Sequence, residues 1–361
     1  MSCAGFYKVD AENTGPLIIN IDGYKLTTED IELISHPLIG GIILFENNYQ
    51  SHQQVIDLID NIRNIKNNLI ISIDHEGGRV QRFKKNFTKL PSFEFISKIS
   101  NPQDRDRLAM CCGFIAGYEL SEIGVNLNYS PVIDILHPSS RLLKDRTFGS
   151  DKRTVIALSM SYIKGIIKAG VLPVLKHYPG HGSVDTDSHT QTCTTGISIK
   201  NLLDEDLVPF IEILKKFSLP VMTNHVLYQD IDEMICSYSK KLLNDIPGDI
   251  FKVKPIFISD DLEMHAAKHF NNKIIKCEDR VLSALRAGCQ YVICTSKLVE
   301  NIDEYKSSSH YFTENYLSDN LLNYTRQNHV NIKKLQFITT TGNKMNLYRE
   351  NLRFIKSYKY G

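Results

Sequence analysis

Val171-Leu172-Pro173-Val174-Leu175, running directly into Lys176-His177-Tyr178-Pro179-Gly180-His181-Gly182, sets the pattern from which the fold is read. The first five residues are a short apolar run, which reads as a buried strand. The continuation is polar and bent: residues 176–189 hold one lysine, three histidines, two aspartates, two glycines and a proline. Ionisable side chains placed just past the C-terminal end of a buried strand describe a catalytic loop on a rigid base.

The same strand-then-polar-loop pattern recurs on both sides of it. Apolar runs over 16–21, 40–45, 69–74, 125–135, 171–175, 219–225, 255–261 and 290–295 read as eight strands, the fourth broken by Pro131. Between them lie helical patterns. Thr27-Thr28-Glu29-Asp30 has the acidic first turn of a helix start. Ser51 caps a helix with Val55, Leu58, Ile59 and Ile62 at helical spacing. Amphipathic stretches cover 105–124, Asp151 to Ala169 (closed by Gly170), 203–217, a short piece at 240–243, and Cys277 to Ala287. Pro247 and Gly248 interrupt the segment after 243. Eight strands alternating with helices predict an α/β fold, a single (β/α)8 TIM barrel. The competing doubly wound sheet is disfavoured because no GxGxxG comes after the first strand. Residues 1–300 are assigned to the barrel, and 301–361 to its last helix and a C-terminal helical extension of the same domain.

Composition narrows the function classes. The chain has 361 residues, 42% hydrophobic, with a net charge of +1 and no long basic run, which excludes an electrostatic nucleic-acid footprint. The cysteines at 3, 111, 112, 193, 236, 277, 289 and 294 form no CxxC pair and read as reduced thiols, mostly small core residues. Met1 to Glu12 has no apolar signal-peptide core and no run approaches a membrane span, so the expected location is the cytoplasm, with no membrane partner.

In a barrel the loops after the strands share one rim, where active sites sit. Asp74, Arg82, Arg146, Lys176, His177, Asp187, His189, His225 and Asp260 all fall just after expected strands, so the barrel would gather them. At the end of the seventh strand, Asp260 could be a nucleophile, a metal ligand or a helix N-cap; for Asp261 the N-cap reading is favoured. Asp187-Ser188-His189 puts an acid two residues from an imidazole, a pair able to shuttle a proton near neutral pH, although an ordinary surface loop would look the same. Arg82, Arg146 and Lys176 form a donor set for a polyhydroxylated ligand, with Asp74 as acceptor, while each alone would read as a structural ion pair. Glu76 and Arg79 are taken to brace the Gly77-Gly78 turn, and His181 to shape its loop. His177, His181, Asp185, Asp187 and His189 could supply metal ligands, but their spacing matches no zinc signature, so no metal or other cofactor is expected.

Together, Lys176-His177-Tyr178-Pro179-Gly180-His181-Gly182 and Asp187-Ser188-His189 resemble the KH(F)PGHG…DSH signature of glycoside hydrolase family 3, in particular its bacterial β-N-acetylhexosaminidases. Ordered blocks at Gly40–Phe45, Ile73–Arg82, Val125–Ile135, Arg146–Asp151, Met222–His225 and Ser259–Met264 extend the likeness over roughly 300 residues. The resemblance implies removal of a terminal β-N-acetylglucosamine with retention of configuration, from peptidoglycan-derived muropeptides, by a monomer. It implies Asp260 as nucleophile, His189 as general acid/base polarised by Asp187, and Asp74, Arg82, Arg146, Lys176 and His177 as sugar-binding residues. A β-glucosidase, a glycoside phosphorylase and an inactive sugar-binding protein are the alternatives. The chain departs from the family pattern at His75 (commonly Gln), at Tyr178 (commonly Phe), over 244–255 and beyond 300.

Overall fold

In a computed structural model of the protein, residues 15–138, 140, 142–184, 191–252, 254–270, 273–295 and 344–358 are described. The barrel strands are Leu17–Ile19, Ile39–Leu44, Ile70–Ile73, Leu127–Asn128, the pair Leu172–Pro173 and Leu175–Tyr178, then Val221–Thr223, Phe257–Asp261 and Tyr291–Ile293. All pairings between neighbours are parallel. Leu172–Pro173 bonds to the fourth strand and Leu175–Tyr178 to the sixth, on the other side. These two segments end the sheet order yet are successive pieces of one run, so the sheet closes on itself. The eight-stranded parallel barrel expected from the alternation is the fold.

Period-2 alternation places the side chains. Ile18, Ile43, Leu127, Val174, Met222, Ile258 and Ile293 fill the barrel interior, while Leu17, Ile19, Ile42, Leu44, Ile71 and Ile73 face the helices. Ser72 points inward and is satisfied there: it donates to the Ile42 carbonyl and accepts from the Tyr129 hydroxyl. The helix His52–Ile65 is capped by Ser51 and buries Val55, Leu58, Ile59 and Ile62. Lys152–Ala169 is capped by Asp151 and ends on Gly170 at φ 99°. It packs along Pro102–Glu122, a helix that begins before residue 105 because Asn101 caps it and Pro102 fits a first turn.

Prolines account for three further differences from the sequence reading. The fourth strand is only two residues long, because Pro131 has no N–H to continue the ladder. The chain rejoins the sheet only through a bridge between Val132 and Lys176. Pro247 does not break its segment; it stands in the first turn of the helix Ile246–Ile250, where no N–H is needed. Pro209 likewise starts Val208–Leu214, and the helix expected over 203–217 is divided from a wider turn at Leu202–Asp206. The C-terminal extension contains the helix Lys344–Lys356, which lies on Pro102–Glu122 through a Tyr348 hydroxyl donating to Glu119 at 2.8 Å. The expected last barrel helix falls outside the described residues. No helix among the described residues is long and apolar enough to cross a membrane.

Candidate active site

The fifth strand continues past Leu175 to Tyr178, so Lys176 and His177 belong to the barrel wall rather than to a loop. Both are buried and both face the rim site; the peptide between them is cis. Asp74 comes directly after the third strand, and the hairpin His75–Gly77/Val80–Gln81 carries the chain on to Arg82.

These groups form one chain of charges. Lys176 Nζ lies 2.6 Å from Asp74 Oδ1 and 2.8 Å from Glu76 Oε1. Arg146 donates to both Glu76 oxygens, at 3.0 and 2.7 Å, and its Nη2 is 3.4 Å from His177 Nε2. Arg82 reaches Asp74 Oδ2 at 3.5 Å. On the far side, Asp134 holds His177 Nδ1 at 2.7 Å and accepts the backbone N–H of both His177 and His181. Burial alone would neutralise these carboxyls, yet the opposite charges prevail. It opposes ionisation of Glu76, but Arg146 and Lys176 hold that carboxyl down at about 2. Against the same cost, Lys176 and Arg82 keep Asp74 below its ordinary value, and His177 does so for Asp134. Lys176 is raised, because Asp74 and Glu76 outweigh its burial. The site is therefore a wall of fixed charged and polar donors and acceptors, suited to gripping hydroxyl groups.

The two adjacent aspartates of the seventh strand differ in surroundings. Asp261 accepts from the Glu263 N–H at 3.0 Å and from the Thr295 N–H and hydroxyl, which ties it into a turn. Burial raises its carboxyl. Asp260 accepts the Asp261 N–H, at 2.8 Å, and takes no part in that turn. Burial works to raise it too, but His225 and His177 draw it below the ordinary carboxylate range. His225 is itself fixed, Nδ1 2.8 Å from Ser237 Oγ and Nε2 3.0 Å from the Asp261 carbonyl.

Asp74, Arg82, Arg146, Lys176 and His177 are thus brought together, with Asp260 close enough for His177 and Asp74 to act on its charge. Asp187 and His189 lie outside the described residues, as does Asp185. The chain on either side of them is anchored: Gly182 passes so close to the Ile135 carbonyl that a Cβ would overlap its oxygen, and Cys193–Thr195 pairs with Val226–Tyr228. His181 is buried, its Nδ1 without a partner among the described residues; burial and then His177 lower it to about 4. Sequence reasoning missed two members. Glu76 is not a turn brace but the buried hub of the charges. Asp134 escaped notice altogether, although a lone acid between Ile133 and Ile135 in an apolar run was a usable signal.

A (β/α)8 barrel whose C-terminal rim carries a wall of carboxylates, ammonium and guanidinium groups is the frame of a barrel hydrolase. The glycosyl hydrolase family 3 N-terminal domain matches residues 10–317, and the chain belongs to that family of glycoside hydrolases. A β-hexosaminidase of Psychromonas ingrahamii is 36% identical over 280 residues, 77% of this chain and 82% of its own. One from Tolumonas auensis is 36% identical over 281 residues, with the same coverage. Native NagZ from Neisseria gonorrhoeae superimposes with a TM-score of 0.79 at 29% identity, over 96% of this chain and 98% of that one. The same protein in complex with N-trifluoroacetyl-D-glucosamine gives 0.78 at 29% identity, with the same coverage. The chain is a β-hexosaminidase-like glycoside hydrolase.

Proposed function

We propose that the protein is a retaining exo-β-N-acetylglucosaminidase that removes terminal, non-reducing β-N-acetylglucosamine from peptidoglycan-derived muropeptides in the cytoplasm, as part of cell-wall recycling. The observation that carries this reading is the wall of charged and polar groups formed by Asp74, Arg82, Arg146, Lys176 and His177, with Asp260 close enough for His177 and Asp74 to act on its charge. Five rigid polar groups would hold the sugar hydroxyls, while Asp260, kept ionised and outside the turn that holds its neighbour, would attack the anomeric carbon. Asp261 is too committed to its turn for that role. His189, polarised by Asp187, would protonate the leaving oxygen and then activate water, which replaces the usual second carboxylate but keeps the two-step course. The N-acyl glucosamine bound by the gonococcal protein supports the sugar assignment.

The test is a panel of chromogenic terminal β-glycosides, with and without phosphate. Turnover of the N-acetylglucosaminide well above the glucoside, independent of phosphate, is expected. Asp260→Ala should lose at least roughly 10³-fold in kcat, and Asp261→Ala should retain measurable turnover. Equal activity on glucoside, or the reverse order of the two variants, would overturn the assignment.

A further inference from the structure

The cysteines of this chain do not share one environment. Burial pushes the thiols of Cys112 and Cys236 well up, that of Cys289 to about 12 and that of Cys111 to about 11, so these four stay protonated and unreactive. Cys111 is further engaged by Asn351 Oδ1 at 3.2 Å and Cys236 by the Tyr178 carbonyl at 3.5 Å.

Cys277 and Cys294 are arranged differently. Cys277 is the partly exposed first residue of the helix Cys277–Ala287, where N–H groups favour a thiolate. Cys294 is buried just past the eighth strand, its N–H bonded to the Ile18 carbonyl at 2.9 Å. Their sulfurs are 3.1 Å apart. Beside them stands Glu263, 3.7 Å from Cys294 Sγ, and both Arg280 and Lys268 are ion-paired to its carboxylate. Glu278 and Asp279 in the first turn of the same helix offset the cations, so what favours sulfur chemistry is the sulfur–sulfur contact and the partial exposure of Cys277. The cations also occupy both Glu263 oxygens, so the trio is better suited to sulfur chemistry than to holding a metal ion.

We infer that Cys277 and Cys294 form a dithiol modification site that closes to an intramolecular disulfide with a small-molecule disulfide oxidant. The Cys277 thiolate attacks one sulfur of the oxidant and expels one thiolate, giving a mixed disulfide. Cys294 then attacks Cys277 Sγ, loses its proton and expels the second thiol. The protein gives up two electrons and two protons, and the oxidant becomes two thiols. Closure from 3.1 Å to an S–S bond of about 2.05 Å needs only a small side-chain movement. The bond would join the helix start at 277 to the residue before Thr295, the partner of Asp261, and so sits directly behind the seventh-strand carboxylates.

The intact protein is equilibrated in glutathione buffers from fully reduced to fully oxidised, acid-quenched, alkylated and peptide-mapped. A Cys277–Cys294 cross-linked peptide should appear with a defined midpoint, with loss of two alkylatable thiols per chain and full reversal by dithiothreitol. Cys277→Ser should abolish the cross-link and leave no alternative intramolecular bond. Both sulfurs staying alkylated at every ratio, or a bond to any other cysteine, overturns the inference. Because the readout is the bond itself, it stands or falls independently of the glycosidase reading.

Discussion

Glu76 and Arg79 flank the same Gly77-Gly78 turn and look equivalent in the sequence, yet the fold treats them oppositely. Arg79 pairs with Asp145 at a surface where both side chains are a third or more exposed, whereas Glu76 is 2% exposed and holds both Lys176 and Arg146. Removing one member of a buried ion-paired set strands the others, at a cost of about 3–5 kcal/mol; a solvated pair is worth about 0–1 kcal/mol. Glu76→Gln should therefore lower the urea midpoint substantially and weaken sugar binding, while Arg79→Ala should leave both nearly unchanged. Comparable midpoints for the two variants would refute the hub role. The contrast also marks what was legible. Asp74, directly after the third strand, and Asp260, near the end of the seventh, could be read from strand position alone. Glu76 and Asp134 could not, because their importance lies in partners seventy and forty-three residues away, for Arg146 and His177 respectively, which only the closed barrel brings near.

At the scale of elements, several helix starts were readable because their signal is local: Thr27, Ser51 and Asp151 each accept the N–H three residues on, whereas the Asn101 cap of Pro102–Glu122 was passed over. Strand ends were not readable, since they depend on the neighbouring strand and on where a proline withdraws a donor. Helix packing falls between these cases. Gly113 and Gly165 sit mid-helix, where propensity alone would favour alanine by about 1 kcal/mol. Their positions are explained by contact, because a Cβ on Gly113 would overlap the Tyr162 carbonyl oxygen and one on Gly165 the Met110 carbonyl oxygen. Backbone against backbone leaves no side chain to yield, and overpacking of this kind costs about 1–3 kcal/mol. Gly165→Ala should therefore destabilise the protein despite its better propensity, visible as a lower thermal midpoint. A raised midpoint would mean the two helices separate more easily than their contact implies.

For the molecule as a whole, the buried titratable groups set how stability responds to acid. His75 is buried on Phe87 with neither ring nitrogen partnered among the described residues, and burial lowers it from 6.5 to about 3. His181, lowered to about 4 by burial and then by His177, adds to it. Both rings are neutral in the folded protein and protonate at higher pH in the unfolded chain, so the unfolded state binds more protons below 6.5. Their stabilising contribution is complete above pH 6.5 and is lost progressively as pH falls toward 4 and then 3. Glu76, lowered from 4.5 to about 2, acts in the same direction but only below 4.5. Stability should thus begin to decline well above the carboxylate range, by an amount on the order of 3 kcal/mol per buried histidine by about pH 4. Calorimetric melting between about pH 7.5 and about pH 4.5 reads this directly. His75→Gln, which keeps a polar side chain of similar reach but removes the titration, should make the decline shallower from about pH 6.5 down to about pH 3, leaving the part that His181 contributes. A wild-type melting temperature that stays level down to about pH 5, or a slope unchanged in His75→Gln, would show that the His75 ring escapes its buried site more readily than its packing on Phe87 implies.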